Sequence, residues 1–343
     1  MNITLDIKRE GRTPSRIAID DVRTSLPGLL EGRDPIVITD ENIESLYPEL
    51  LSPYRRITIG RGEENKTLDT VTLIYRRLMD MGADRSSYLL GIGGGIVTDI
   101  TGFVASTYMR GTGFGFVATT LLSQVDASVG GKNGVNVDGY KNMAGCFNQP
   151  DFVVCDPSML RTLPEREIKG GMAEVIKAGL IKSAGLFDKM EAGYDAVMND
   201  AALLSDIIGE AIKIKAAVVE ADFKEGGERK KLNFGHTIAH AIEKLSRRYI
   251  HGEAVAIGCV YEAELCRRLG AIGADDAARI TAAIERLGLP TECDIDDKSL
   301  FEALHLDKKR HGDKIALVIL DSIGTSRVEE IGFGHLAELM EIR

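Results

Sequence analysis

The feature that most constrains the fold is an alternation of short apolar runs with amphipathic segments through the first half of the chain. The apolar runs are PIVITD, RRITIG, SSYLLGIGGG and GFGFVATT, and the intervening LDTVTLIYRRLMDMG has the apolar period of a helix. Strands that alternate with helices in this way form a parallel sheet with crossover helices. The first half is therefore predicted to be a Rossmann-like α/β domain.

Long helical patterns dominate after about residue 158, as in REIKGGMAEVIKAGLIKSAGLFDKM and DAALLSDIIGEAIKIKAAVVEADF. Pro157 and Pro164 interrupt the chain just before them, so we predict an α/β domain over residues 1–157 and a mainly helical domain over 158–343. Near the end, KIALVILDSIG and SRVEEI predict a small β element, and GHLAELMEI predicts a final helix.

Charge and cysteine content exclude several classes of partner. The net charge of -10 argues against binding to nucleic acid or to an anionic membrane surface, because both require a basic face. No stretch is long and apolar enough to cross a bilayer, and the N-terminal MNITLDIKRE lacks the pattern of a secretory signal. The five cysteines show no CxxC spacing, which favours the reducing cytoplasm over a disulfide framework or a cysteine zinc site.

A glycine-rich turn follows one of the predicted strands. In LLGIGGGIVTDITGF, Gly91 and Gly93–Gly95 lie between an apolar strand and a helix, where backbone amides and a helix N-terminus can meet a pyrophosphate. Asp40 ends the earlier strand PIVITD, where a carboxylate can bind ribose hydroxyls. The simpler alternatives are a tight structural turn and a surface aspartate.

A polar segment, TTLLSQVDASVGGKNGVNVDGYKNMAGCFNQP, has little amphipathic period and is predicted to be a functional loop. Its lysines, Lys132 and Lys141, could bind phosphate as point charges or simply be solvated. Arg110, in TYMRGTG, offers a fork for an oxyanion.

Metal-ligating residue types cluster in three pieces of the helical half: GGMAEVIKAG, LNFGHTIAHAIE and HGEAVAIG. Glu174, His236 and His251 would supply one oxygen and two nitrogen ligands, a set found in catalytic zinc sites. His236 and His240 are four apart on one helix face, so both could instead bind the metal, as in HExxH helices. Spacing alone leaves the two assignments open.

Six motifs together resemble the 3-dehydroquinate synthase family in order and spacing, over roughly residues 36 to 320. They are GGGIVTDITGFVASTYMRG, TTLLSQVDASVGGKNGVN, KNMAGCFNQP, TLPEREIKGGMAEVIK, ERKKLNFGHTIAHAIE and HGEAVAIG. The resemblance implies an α/β NAD-binding domain, a mainly helical metal-binding domain, bound NAD, one Zn²⁺ or Co²⁺, and a homodimer.

The resemblance also implies roles for individual residues. It assigns the metal to Glu174, His236 and His251, and catalysis to Glu225, His240, Lys177, Lys132 and Asn142. It assigns NAD binding to Asp40, Glu63, Lys66, Gly94, Gly95, Asp99, Thr119, Thr120, Leu122, Asp126, Lys132, Lys141, Thr162, Leu163 and Glu167. It assigns substrate binding to Arg110, Asp126, Lys132, Asn142, Lys177, Lys215, Arg229, Asn233, His240 and Lys308, the last with Lys309 beside it as an alternative.

The implied activity is that of a carbon-oxygen lyase acting on a phosphate. In it, 3-deoxy-D-arabino-heptulosonate 7-phosphate becomes 3-dehydroquinate and phosphate, as part of aromatic amino acid biosynthesis. The steps are transient oxidation by NAD, phosphate elimination, re-reduction and intramolecular aldol closure. The alternatives are another sugar-phosphate cyclase and a metal-dependent polyol dehydrogenase of similar fold.

Overall fold

The structure, a computed structural model, describes residues 3–9, 12–307 and 312–342. The chain folds into two compact units, Met1–Pro164 and Glu165–Arg343. The first unit is α/β and the second is mainly helical, which confirms the predicted fold class. No helix in the described ranges has the length and apolar character needed to span a membrane.

A seven-stranded sheet forms the centre of the first unit. Its strands are β1 Ile3–Arg9, β2 Arg12–Ile19, β3 Pro35–Asp40, β4 Arg55–Ile59, β5 Tyr88–Gly93, β6 Gly113–Ala118 and β9 Phe152–Cys155. They stand in the order β1-β2-β9-β6-β5-β3-β4, and all neighbours are parallel except β1 and β2, which form an antiparallel pair. After β4 the chain crosses to the other side of β3 to form β5, so a topological switch lies between β3 and β5.

Five α-helices accompany this sheet among the described residues: α1 Val22–Leu30, α2 Glu41–Leu46, α3 Pro48–Leu51, α4 Leu68–Asp80 and α5 Gly95–Thr107. The apolar positions of α1 recur every four residues, at Val22, Leu26 and Leu30, and they pack against Val37 and Leu90 of the sheet. Burying each such side chain contributes about 1.5–3 kcal/mol. Shorter helical turns cover Glu63–Asn65, Tyr108–Arg110, Ser123–Ala127 and Pro157–Thr162.

The segment predicted to be a loop is instead partly a β-hairpin, of β7 (Lys132–Val137) and β8 (Tyr140–Phe147). Asp138 and Gly139 form its turn with φ of 50° and 82°, the positive values that a tight hairpin turn requires. The loop prediction was wrong here because β8 is largely exposed and therefore lacks the apolar alternation of a half-buried strand. The Asp-Gly pair was the available signal.

The second unit is built from nine α-helices, a short helical turn over Glu228–Asn233 and one hairpin within the described residues. The helices are α6 Glu165–Lys182, α7 Ala184–Met190, α8 Tyr194–Asn199, α9 Ala201–Ala221, α10 His236–Leu245, α11 His251–Arg268, α12 Ala274–Arg286, α13 Asp297–Asp307 and α14 Phe333–Leu339. The hairpin pairs β10 Lys314–Ser322 with β11 Thr325–Gly332, as predicted. Helix α11 packs against both α6 and α10, so these three helices form the frame of the site described next.

Candidate metal centre and nucleotide-binding loops

Glu174, His236 and His251 converge in the helical unit, with one ligand atom of each lying within 4.8 Å of the others. The Nε2 atoms of His236 and His251 lie 3.4 Å and 3.5 Å from Oε1 of Glu174. That oxygen is buried and receives no hydrogen bond from the described residues. A buried carboxylate oxygen that faces two imidazole nitrogens is suited to bind a divalent cation with an open position left for a ligand.

Close helix packing at two pairs of glycines explains this convergence. Gly252 of α11 touches the backbone of Gly170 in α6, and a Cβ atom at position 252 would overlap that backbone. Gly258, further along α11, is equally close to Gly235, the residue that precedes α10. His251 is one residue from Gly252, Glu174 is four residues from Gly170, and His236 is one residue from Gly235. The glycine contacts therefore set the distances between the three side chains.

The electrostatics of the site are dominated by Glu174. Burial raises the pKa of this carboxyl, but the Lys177 ammonium and His236 together lower it by more than burial raises it. The pKa therefore lies well below its ordinary value. Lys177 donates a hydrogen bond to Glu174 from the same face of α6. Burial lowers the pKa of His251, whereas its contacts with Glu174 and Glu243 raise it to about 9. Glu174 is therefore ionised and is available as an anionic ligand for a cation.

A network that the sequence did not reveal anchors the start of α11. Arg166 of α6 donates from Nε and Nη2 to the two carboxylate oxygens of Glu253, at 2.7 Å and 2.6 Å. Glu253 in turn accepts from the backbone N–H of Ile250 at 3.1 Å, and Arg166 also donates to the carbonyl of Arg248 at 2.8 Å. Bidentate pairs fix geometry as well as adding energy. They hold the segment that precedes His251 against the helix that carries Glu174.

A second unpredicted carboxyl group, that of Glu262, is buried on α11 and faces the first turn of α10. Only 2% of the residue is exposed. Burial raises its pKa to about 8, although the backbone N–H groups of Gly235, Ile238 and Thr237 lower it. Neither carboxyl oxygen of Glu262 accepts a hydrogen bond of normal geometry from the described residues, so the effect of burial outweighs that of these amides.

The raised pKa of Glu262 predicts a pH-dependent effect of Glu262→Gln. Between its ordinary pKa of 4.5 and the folded value of about 8, the unfolded chain is ionised while the folded chain keeps the proton, so wild-type stability falls as the pH rises. The variant has no carboxyl to titrate, so its stability lacks this fall. The difference in free energy of unfolding, variant minus wild type, should therefore rise by about 1.4 kcal/mol per pH unit over this window, a few kcal/mol in all.

Denaturant unfolding of the chelator-treated protein at pH 5, 6.5 and 8 measures this gain. Exposed Glu285 on α12 provides the control Glu285→Gln, for which the difference from wild type should not change with pH. A difference for Glu262→Gln that is equally constant would show that the carboxyl titrates normally.

The other residues expected in the helical unit lie at several places. Asn233 donates to Oε1 of Glu225 at 3.1 Å, and Glu225 has a left-handed φ of 63°. Arg229 is 2% exposed and donates to the carbonyl of Phe223 at 2.8 Å. Lys215 is buried on α9, and Glu167 is exposed on α6. His240 is exposed on α10, and its ring centroid is 5.6 Å from that of His236. Lys308 and its neighbour Lys309 lie outside the described residues.

In the α/β unit, most of the expected nucleotide-binding residues follow the carboxyl ends of parallel strands. Asp40 ends β3 and caps α2, accepting from the Ile43 N–H at 2.9 Å. Gly94 separates β5 from α5 and Gly95 is the first residue of α5, and no side chain caps the first turn of that helix. Thr119, Thr120 and Leu122 follow β6, and Asp126 lies in the short helix after them. In open α/β sheets, ligands bind at this edge, beside the topological switch.

A polar network joins several of these residues. Lys66 donates to Oδ2 of Asp99 at 2.5 Å and to Oδ1 of Asn142 at 2.7 Å. Asn136 accepts from the backbone N–H of Asn142 at 2.9 Å and donates to Glu63 at 2.8 Å. Burial raises the pKa of Asp99 to about 6, although Lys66 lowers it. These hydrogen bonds join the hairpin of β7 and β8 to residues that follow β4 and β5. A cavity of about 480 Å³ opens beside Glu63 and Asn136.

The remaining expected residues of the α/β unit are more exposed. Arg110 is exposed and has a φ of 73° at the end of its short helix. Lys132 and Lys141 are exposed on β7 and β8. Thr162 shares a hydrogen bond of 2.6 Å with the Tyr47 hydroxyl, and Leu163 follows it.

Solved structures with this fold identify the class of protein. Two of them each have a TM-score of 0.86. A 2-deoxy-scyllo-inosose synthase complexed with carbaglucose-6-phosphate, NAD⁺ and Co²⁺ is 26% identical, over 98% of this chain and 99% of that one. A 2-epi-5-epi-valiolone synthase from Streptomyces hygroscopicus subsp. jinggangensis 5008, with NAD⁺ and Zn²⁺ bound, is 25% identical, over 99% and 100%. Fold and site together define a protein of the sugar-phosphate cyclase superfamily.

Sequence comparison defines the family more narrowly. Residues 56–170 match the model of the 3-dehydroquinate synthase N-terminal domain, and residues 171–310 match that of the C-terminal domain. A 3-dehydroquinate synthase of Pyrococcus abyssi is 43% identical over 93% of this chain and 97% of that protein. The chain belongs to the 3-dehydroquinate synthase family.

Proposed function

We propose that this chain is a 3-dehydroquinate synthase, which converts 3-deoxy-D-arabino-heptulosonate 7-phosphate to 3-dehydroquinate and phosphate in the shikimate pathway. The observation that carries the proposal is the convergence of Glu174, His236 and His251 in a chain that is 43% identical to a protein of that name over nearly its whole length. A fold alone would not define the reaction, because one fold hosts many activities.

Glu174, His236 and His251 are the proposed ligands of one Zn²⁺ or Co²⁺. The donor set and the buried Oε1 atom of Glu174 support this choice of residues. The bound Co²⁺ and Zn²⁺ of two similar structures support the choice of cation. When bound, the cation supplies a Lewis acid for a substrate oxygen, and NAD supplies a reversible hydride acceptor.

The proposed NAD site is the carboxyl edge of the sheet. Gly94 and Gly95 present the amides of the first turn of α5 to the pyrophosphate. Asp40 offers a carboxylate to ribose hydroxyls, and the Lys66–Asp99 pair provides a fixed charge and an acceptor beside them. The other proposed contacts are Glu63, Thr119, Thr120, Leu122, Asp126, Lys132, Lys141, Thr162, Leu163 and Glu167.

Cationic and amide side chains are proposed to hold the anionic substrate. Buried Lys215 and Arg229 place two fixed positive charges in the helical unit, and an arginine fork suits a carboxylate. This pair favours a sugar acid over a sugar phosphate that has no carboxylate. The further proposed substrate contacts are Arg110, Asp126, Lys132, Asn142, Lys177, Asn233, His240 and Lys308.

Glu225 and His240 are the proposed proton-transfer groups, with Lys177, Lys132 and Asn142 as further catalytic residues. Glu225 is held by the hydrogen bond from Asn233 and by a left-handed backbone. Such a conformation costs on the order of 1–3 kcal/mol for a residue other than glycine and is concentrated at functional sites. His240 lies one turn after His236 on α10, which places an imidazole beside the cation ligands.

We further propose that the enzyme is a cytoplasmic homodimer. Tyr140, Met143 and Phe147 are exposed on β8, and exposed apolar side chains that share one strand suit a protein interface. The five cysteines are free thiols, as expected in a reducing compartment.

An assay with the purified protein, NAD, Zn²⁺ and the heptulosonate phosphate tests the proposed function. One phosphate should be released per substrate consumed while absorbance at the NADH wavelength shows no net rise, because the hydride returns to the product within each cycle. NADH formed in proportion to substrate would instead indicate a polyol dehydrogenase. Phosphate released only from a sugar phosphate without a carboxylate would indicate another cyclase.

A further inference from the structure

The two histidines of the metal centre are oriented in the same way. Each directs Nε2 toward Glu174, so each has its Nδ1 atom on the far side of the ring. The Nδ1 atom of His236 lies 3.3 Å from the backbone carbonyl of Phe234. The Nδ1 atom of His251 lies 3.3 Å from a carboxylate oxygen, Oε1 of Glu243. One ligand therefore has a neutral backbone partner, and the other has a charged side-chain partner.

Glu243 reaches His251 from a different helix. It lies seven residues after His236 on α10, so two turns of helix place the two side chains on one face. His251 begins α11. The Glu243 side chain is 10% exposed, which makes its contact with the imidazole stronger than that of a solvated ion pair. Helix α10 thus carries one metal ligand and contacts another.

We propose that Glu243 is a positioning residue of the metal centre, which accepts a hydrogen bond from Nδ1–H of His251 and so directs its Nε2 lone pair at the cation. The inference rests on the metal centre of the proposed function. A histidine ligand needs its second nitrogen protonated and held, because otherwise the ring can rotate or adopt the wrong tautomer. The carboxylate also increases the basicity of the imidazole, which strengthens the bond to the metal.

Three variants separate this role from a structural one. Glu243→Ala removes the acceptor, Glu243→Gln keeps an acceptor without the charge, and Glu285→Gln is the matched control on an exposed face of α12. Each purified protein is stripped of metal, and its Kd for Co²⁺ is measured by competition with a chromophoric chelator. The visible spectrum of the Co²⁺-loaded protein and the melting temperature of the metal-free protein are recorded in parallel.

We expect Glu243→Ala to weaken Co²⁺ binding about 10–100-fold and to change the visible spectrum, because removal of such outer partners has effects of this size. Glu243→Gln should recover part of the affinity, and the melting temperatures of the metal-free variants should match that of the control.

Two results would overturn the role of Glu243. The first is Co²⁺ affinity of Glu243→Ala within about twofold of wild type. The second is a fall in melting temperature together with equal losses for alanine and glutamine, which would make the residue structural. A wild-type protein that binds no Co²⁺ would instead overturn the metal centre itself, and the two failures are therefore distinguishable.

Discussion

Replacing His251 with alanine is expected to abolish metal-dependent turnover while leaving the fold intact. The imidazole is one of the three proposed ligands that converge among the described residues, and it occupies the first position of α11 rather than the apolar core. In metal sites generally, changes to the partners of the ligands weaken metal binding 10–100-fold, so loss of a ligand should weaken it by on the order of a thousandfold or more. Metal content after dialysis, phosphate release and circular dichroism measure the three effects.

His335→Ala is the matched control for this change. His335 lies exposed on α14, where its Nδ1 atom contacts Glu338 at 3.3 Å. It should retain full metal content and activity. If His251→Ala bound as much metal as this control, the ligand would have been assigned wrongly, and the competing pair of His236 and His240 would become the better choice.

Gly252→Ala is expected to weaken metal binding nearly as much as His251→Ala does and also to lower stability, although glycine has no side chain to lose. A Cβ atom there would overlap the backbone of Gly170, and neither helix backbone can yield as the end of a flexible side chain could. Overpacking in a well-packed core typically costs about 1–3 kcal/mol, and a backbone contact should reach the upper end of that range. Because position 252 is next to His251, separation of α11 from α6 should weaken metal binding as well.

Gly334→Ala tests whether the effect comes from the close contact rather than from substitution of a helical glycine. Gly334 lies in α14, and a Cβ atom there would meet nothing within 4 Å. Alanine should be neutral or stabilising there, by up to about 1 kcal/mol. Denaturant unfolding and the Co²⁺ affinity of both variants would decide the question. Equal stability of the two would mean that α6 and α11 can separate without cost.

The sequence predicted the fold class because the two halves have different apolar periods. Runs such as PIVITD and YLLGIG are apolar throughout, as expected for strands buried on both faces of a parallel sheet, and both are fully or nearly fully buried. The amphipathic period over Leu68–Asp80 predicted α4 in the same way. The hairpin of β7 and β8 was missed because its exposed second strand carries no such period.

The metal cluster could be proposed from residue types, but its surroundings could not. Spacing relates residues on one helix, as for His236 and His240, whereas the distances from His236 to Glu174 and His251 depend on how three helices pack. Those distances are set by glycine contacts and by the Arg166–Glu253 pair, which join segments far apart in sequence. Glu243 could have been found from its seven-residue spacing to His236, but Glu262 has no comparable signal in the sequence.

The paired glycines at the helix contacts affect how a mutational screen of this protein would be interpreted. Random variants selected for loss of activity would include changes at Gly235, Gly252 and Gly258 as well as changes at the three proposed ligands, since a side chain at any of these glycines would push the helix backbones apart. Ranking positions by sensitivity alone would therefore assign chemistry to residues that have no functional group.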